Sequence, residues 1–149
     1  MIDINQKLVT DSAARTNYKQ FFNVLLNNKS ATTLSHCTDG KDREGFGTML
    51  VLSALGVDQK SIMDDYLASN KYRRAENEKT IEQIKVATHN NPKAVKTITA
   101  MMAVRKPSLQ AAYDTMNKEY GGVNGYLKHG LGLTKADLNQ LKTMYLTKS

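Results

Sequence analysis

Only one short stretch of this chain reads as a β-strand, and the residues around it are patterned for helices. Ala31-Thr32-Thr33-Leu34-Ser35 carries β-branched residues and is too short for a helix. A lone strand leaves backbone donors and acceptors unpaired along both edges. It must be covered by helices, paired by a second copy of the chain, or completed by further polypeptide. Asn5 to Thr10, through Leu8-Val9, is a candidate for a second short strand. The expected fold class is therefore α/β but mostly helical, with one clear strand packed among about six or seven helices in a single domain over residues 1–149.

The helices announce themselves by period and punctuation. Asp11 or Ser12 can cap a helix that carries Ala14, Tyr18, Phe21, Phe22, Leu25 and Leu26 on one stripe and ends at Asn27-Asn28. A second begins near Arg43 or Glu44, presents Phe46, Met49, Leu50, Leu52, Ser53 and Leu55, and stops at Gly56. Asp58 caps a third through Ile62, Met63, Tyr66 and Leu67 to about Asn70, and a fourth runs from Arg74 to His89. Pro92 and Pro107 each stand where a helix can open. Gly121-Gly122 marks a break before a short helix through Val123, Tyr126 and Leu127, closed by Gly130. Thr134 caps the last helix, whose face is Leu138, Leu141 and Tyr145.

Composition removes several classes of function. One cysteine forms no intramolecular disulfide, and its placement relative to the three histidines matches no four-ligand zinc pattern. The N-terminus lacks an apolar signal core, and no run of about 18 apolar residues occurs, so a reducing cytoplasm is the expected compartment. The net charge of +7 favours anionic partners without choosing among them. The cations are dispersed, the densest cluster being Lys71-Tyr72-Arg73-Arg74, which is no arm for a polynucleotide. Nucleic acid is not expected as a partner.

Chemistry concentrates where the expected strand runs into the helix near Arg43, through His36-Cys37-Thr38-Asp39-Gly40-Lys41-Asp42-Arg43. Strand, polar turn and helix N-terminus is a local geometry in which backbone N–H groups converge on an anion. A thiol of ordinary pKa near about 8.5 falls to between about 3.5 and 7.5 beside a helix N-terminus and cations, and Cys37 has both close by in sequence. Arg43, six residues on, can fold back so that its planar fork grips two oxygens of one anion. Gly40 relieves the backbone where the turn needs positive φ or close approach to a ligand. A nucleophile at the bottom of a phosphate cradle is a covalent phosphoryl-transfer site. Residue types alone leave the other reading open, since a single cysteine is commonly just a small buried apolar residue.

The same run resembles the H-C-x-x-G-x-x-R signature of cysteine-dependent protein tyrosine phosphatases, and most closely a bacterial branch whose loop reads H-C-T-A-G-K-D-R-T-G. The similarity continues through Leu55-Gly56-Val57, Asp64 to Asn70, and Glu119 to Leu133, so it covers nearly all of the chain from about residue 11 onward. It implies that Cys37 attacks phosphorus and carries a phosphocysteine intermediate, and that Arg43 binds the equatorial oxygens. Phosphate would sit on Thr38, Asp39, Gly40, Lys41, Asp42 and Arg43, with His36 supporting the thiolate. Asp42 would be the general acid, competing with a role in pairing with Lys41 or Arg43. Lys41 resembles a loop lysine associated with acidic or phosphoinositide substrates. Implied partners are phosphorylated protein or phosphoinositide, with inorganic phosphate or sulfate able to fill the loop; no cofactor and no metal is implied. Among the three ways to cover the strand edges, pairing with a second copy makes a homodimer a candidate assembly.

Two substitutions depart from the branch. Asp39 stands where it has alanine and Glu44 where it has threonine. Unless their side chains turn away, both carboxylates should weaken phosphate binding and raise the Cys37 pKa, giving slower turnover or a domain that only binds phosphorylated ligands. Members of the family also carry a long segment before the region matching residue 11, including most of the sheet, so this chain is expected to represent a truncated, C-terminal portion of the usual domain.

Overall fold

The computed structural model describes residues 2–28 and 32–147. Regular structure among them is helical: α1 (Ile2–Thr10), α2 (Ser12–Asn27), α3 (Asp42–Leu55), α4 (Gln59–Tyr72), α5 (Arg74–Ala87), α6 (Pro92–Met102), α7 (Lys106–Tyr120), α8 (Val123–Gly125), a π-helical turn over Tyr126–Gly130, and α9 (Lys135–Tyr145). Short polar side chains start these helices by accepting from N–H groups that the helix itself leaves orphaned. Asp11 accepts from Ala14 N–H at 2.8 Å and Asp58 from Ser61 N–H at 3.0 Å. Thr134 and Asp137 close a reciprocal capping box, each taking the other's backbone N–H, at 3.1 and 2.8 Å. Pro92 and Pro107 lie in the first turns of α6 and α7, where their missing N–H costs nothing.

α3 is the axis of the packing, touching α1, α4, α8 and α9. Its Phe46, Met49 and Leu50 are 0% exposed, each contributing about 1.5–3 kcal/mol by leaving water. The Phe46 ring meets Tyr18 of α2 edge-on at 5.0 Å and Tyr126 at 6.4 Å. The helix is therefore gripped one turn after it begins. At Gly45 a Cβ would stand 2.7 Å from the Tyr66 ring, so glycine there is what lets α4 approach the start of α3. α1 lies along α7, and α2 against α1 and α9. α5 and α6 form a hairpin that contributes no fully buried residue.

The expected strand does not form. Thr32 to Ser35 run without regular structure, and Ala31 lies outside the described residues. A strand exists by pairing, no strand occurs among the described residues to pair with this one, and Leu34 is 86% exposed. The alternative strand over Asn5 to Thr10 is instead the second half of α1, because Asn5 and Val9, four apart, are both buried on one side of a helix packed against α7. The α/β expectation is thus corrected to a helical fold over the described residues, and the edge argument for self-association loses its strand.

Candidate active site

Between α2 and α3 the chain turns tightly, with Gly40 at φ 62°, a conformation in which any Cβ is strained. Lys41 is the N-cap of α3 but makes no side-chain capping bond. The first N–H groups of α3 are consequently free to serve an anion in front of the helix. The Cys37 sulfur occupies that position. Burial pushes its thiol up, but the backbone N–H groups of Glu44, Lys41, Asp39 and Gly40 point at the sulfur and outweigh burial, holding the pKa below the ordinary thiol value. Neither the Asp39 nor the Glu44 carboxylate is among the causes of this shift, although Glu44 lines the same cavity as Cys37. The Asp39 carboxylate lies 3.7 Å from the Arg73 guanidinium, and Glu44 accepts the Ser35 hydroxyl at 2.6 Å.

The outward side of the loop borders a cavity of about 680 Å³ lined by His36, Cys37, Thr38, Arg43 and Glu44 from the loop and by Tyr18 and Phe21 from α2. Arg43 folds back across the loop and donates to the Thr38 hydroxyl at 3.0 Å, which leaves an exposed guanidinium on the same cavity as the thiol. The Tyr18 hydroxyl donates to the Arg43 carbonyl at 2.8 Å. Burial raises the Tyr18 pKa above the ordinary phenol range, with the negative Glu44 and Cys37 adding to this and Arg43 opposing it. The phenol therefore stays a donor. His36 is exposed on the cavity wall, and among the described residues no hydrogen bond joins it to Cys37.

The inward side carries the other expected phosphate ligands, and their side chains turn away from the cavity. Lys41 is 3% exposed; its ammonium donates to the Asp42 carboxylate at 2.7 Å and to the Met101 carbonyl at 2.7 Å. Asp42, the expected acid, uses one oxygen on Lys41, while its Oδ1 is buried without a hydrogen-bond partner. Its charge reaches Tyr66, whose hydroxyl is pushed up to about 12 by burial first and by Asp42 second. The structure thus brings Cys37, Thr38 and Arg43 together at the cavity, leaves Asp39, Gly40 and Lys41 to contribute backbone N–H groups, and directs the Lys41 and Asp42 side chains into the protein. Among the described residues no cluster of His, Cys, Asp and Glu is arranged to hold a metal ion, and no helix is long and apolar enough to cross a membrane.

Sequence reasoning missed four participants. Tyr18 was legible only as a core residue on the α2 stripe, and its hydroxyl bond to Arg43 spans 25 positions. Ser35 ends the run that the sequence reads as a strand. Arg73 and the Met101 carbonyl reach the loop from α4–α5 and α6, and no local pattern marks either.

A family model described as the tyrosine phosphatase family matches residues 1–147. The triple specificity protein phosphatase PtpB of Mycobacterium tuberculosis is 36% identical over 121 residues, which cover 76% of this chain and 43% of that protein. A Cupriavidus necator protein, provisionally named a tyrosine-protein phosphatase, is 36% identical over 115 residues, 77% of this chain and 40% of that one. A tyrosine-protein phosphatase of Nostoc commune is 29% identical over 129 residues, 84% and 42%. The chain spans about two fifths of the length of the curated relatives it matches.

Proposed function

The chain belongs to the tyrosine phosphatase family, and from that premise we propose that it hydrolyses phosphomonoesters, aryl phosphates such as phosphotyrosine first among them, through a phosphocysteine on Cys37. The observation that carries this reading is the convergence of backbone N–H groups on a thiol whose pKa lies below its ordinary value, with the Arg43 guanidinium on the same cavity. The thiolate attacks phosphorus, the bond to the leaving oxygen breaks, and that oxygen takes up a proton. Water then attacks phosphorus, the P–S bond breaks, and the thiolate returns with inorganic phosphate released. Arg43 and the loop N–H groups stabilise the equatorial oxygens where charge is held through both steps. Tyr18 and Phe21 supply an aromatic wall on which an aryl leaving group can rest.

The proton at the leaving oxygen must come from an acid within hydrogen-bond reach. Glu44 is the carboxylate on the cavity, so we assign it that role. Asp42 is the alternative donor, and it would first have to leave Lys41. Phosphoinositide hydrolysis belongs to the same chemistry with a different alcohol.

The test is phosphate release from 4-nitrophenyl phosphate between pH 4.5 and 8, with Cys37→Ser purified in parallel. Loss of turnover by at least about a thousandfold in the variant is expected; equal release from both proteins would refute the covalent mechanism. A second reading, a domain that binds phosphorylated ligands without turning them over, draws on the Glu44 carboxylate beside the thiol. It is favoured if the folded wild-type protein binds inorganic phosphate yet releases none from any ester.

A further inference from the structure

Lys41 is the only charged residue among the described ones that is fully buried, and nothing in the proposed chemistry uses its ammonium. We propose that Lys41 is a positioning residue: its side chain fastens the phosphate-binding loop to the C-terminal end of α6, so the loop's shape depends on the α5–α6 hairpin. The proposal rests on the loop being the phosphate site. It replaces the idea that this lysine reaches the substrate.

The argument starts at the end of α6. A helix leaves its last carbonyls without intrahelical donors, and cations are favoured beside them. Here side chains from elsewhere in the fold meet that need. Lys41 donates to Met101 O at 2.7 Å and Asn77 to Met102 O at 3.1 Å, while Asn70 exchanges bonds with Val104 O and N at 3.0 and 2.9 Å. Asn70 and Asn77 flank the junction of α4 and α5, so those bonds close the hairpin on its own root. Of these bonds only the Lys41 one crosses to the phosphate loop, 60 positions away; at the root of the hairpin the Arg73 guanidinium also lies 3.7 Å from Asp39 of the loop.

At its other end the same residue touches the reactive group. The Lys41 backbone N–H is one of the donors directed at the Cys37 sulfur, and its carbonyl accepts from Gly45 in the first turn of α3. The ammonium also holds Asp42, whose other carboxylate oxygen has no hydrogen-bond partner. A shift of Lys41 therefore moves a donor of the anion cradle and releases a half-buried carboxylate at once. The tolerance for such shifts is small, because cradle donors act at hydrogen-bond distance.

The experiment compares wild type, Lys41→Met and the double variant Lys41→Met/Asp42→Asn. The pH midpoint of Cys37 alkylation by iodoacetamide reports the cradle directly and needs no turnover. Inorganic phosphate affinity and kcat/KM on 4-nitrophenyl phosphate and on a soluble inositol bisphosphate are measured alongside. For Lys41→Met we expect a raised alkylation midpoint, phosphate binding about tenfold weaker, and the same factor lost in kcat/KM on both esters. A wild-type midpoint with loss confined to the bisphosphate would overturn the proposal and make Lys41 a substrate contact. Should Lys41→Met fail to fold, the double variant, which removes the stranded carboxylate as well, carries the same expectation, and a wild-type midpoint there is equally fatal. If wild type neither binds phosphate nor turns over, the phosphatase reading falls, while the alkylation midpoints still decide whether Lys41 is the fastening.

Discussion

The two sides of the loop between His36 and Arg43 use similar residue types for opposite purposes. Outward, Cys37, Thr38, Arg43 and Glu44 border a cavity, with an exposed guanidinium and a thiol whose pKa is held low by the backbone around it. Inward, Lys41 and Asp42 neutralise each other under the loop, and Asp39 turns toward Arg73. Asp42 and Arg43 are neighbours in sequence yet point to different sides, because successive residues of a helix are about 100° apart. Charge close to the cavity is thus not the same as charge directed into it. A buried pair costs desolvation and returns geometry, whereas an exposed guanidinium keeps its donors for a ligand.

Substitutions on the two sides should separate this contrast, beginning with the largest effect beyond the nucleophile itself. Arg43→Lys keeps the charge but loses the fork, so kcat/KM on 4-nitrophenyl phosphate should fall by about a hundredfold or more; a change under threefold would show that the guanidinium is not the oxygen clamp. Glu44→Gln is expected to act in two directions at once. Inorganic phosphate should bind several-fold tighter by calorimetry, because a like charge beside it is gone. Turnover of an alkyl phosphate should fall by about 10²-fold, with much less loss on the better leaving group of 4-nitrophenyl phosphate. Finding that leaving-group dependence in Asp42→Asn instead would exchange the roles of the two carboxylates. Asp39→Asn should be the mildest, within about twofold in phosphate affinity, since a partly exposed pair with Arg73 already offsets its charge; a tenfold gain would mean that Asp39 faces the phosphate after all.

pH sharpens the outward side further. Because the Cys37 pKa is lowered in the folded protein, the reactive thiolate is present below the ordinary thiol range and disappears only as pH falls through the depressed value. The acid limb of kcat/KM should accordingly lie below the titration of an ordinary cysteine, and a limb near pH 8.5 would break the account of the cradle.

Much of the helical plan was legible locally. Asp11, Asp58 and Thr134 cap the helices expected of them, Pro92 and Pro107 open theirs, and Gly56 and Gly121 end theirs. These signals work because a cap or a proline acts on its own turn. The expected strand does not form for the complementary reason. The β-branched run from Thr32 states a preference, but a strand needs a partner, and α1 took the other candidate segment because Asn5 and Val9 could be buried together. At the loop, Cys37, Gly40 and Arg43 stand out in the sequence through the signature they resemble, while Tyr18, Arg73 and the Met101 carbonyl do not, since each reaches the loop from a distant part of the chain.

Local sequence accounts for most helix starts and stops and for Cys37 and Arg43 standing six residues apart at the entrance to α3, since each of these depends on residues within a few positions of one another. Tertiary packing sets which charged side chains of the loop face the cavity. Lys41 went inward because the end of α6 needed a donor and Asp42 a counter-ion, and Arg43 stayed outward because the Thr38 hydroxyl holds it across the mouth of the loop. Hydrogen-bond demand and burial are set by whatever packs against a residue, and that neighbour is rarely adjacent in the chain.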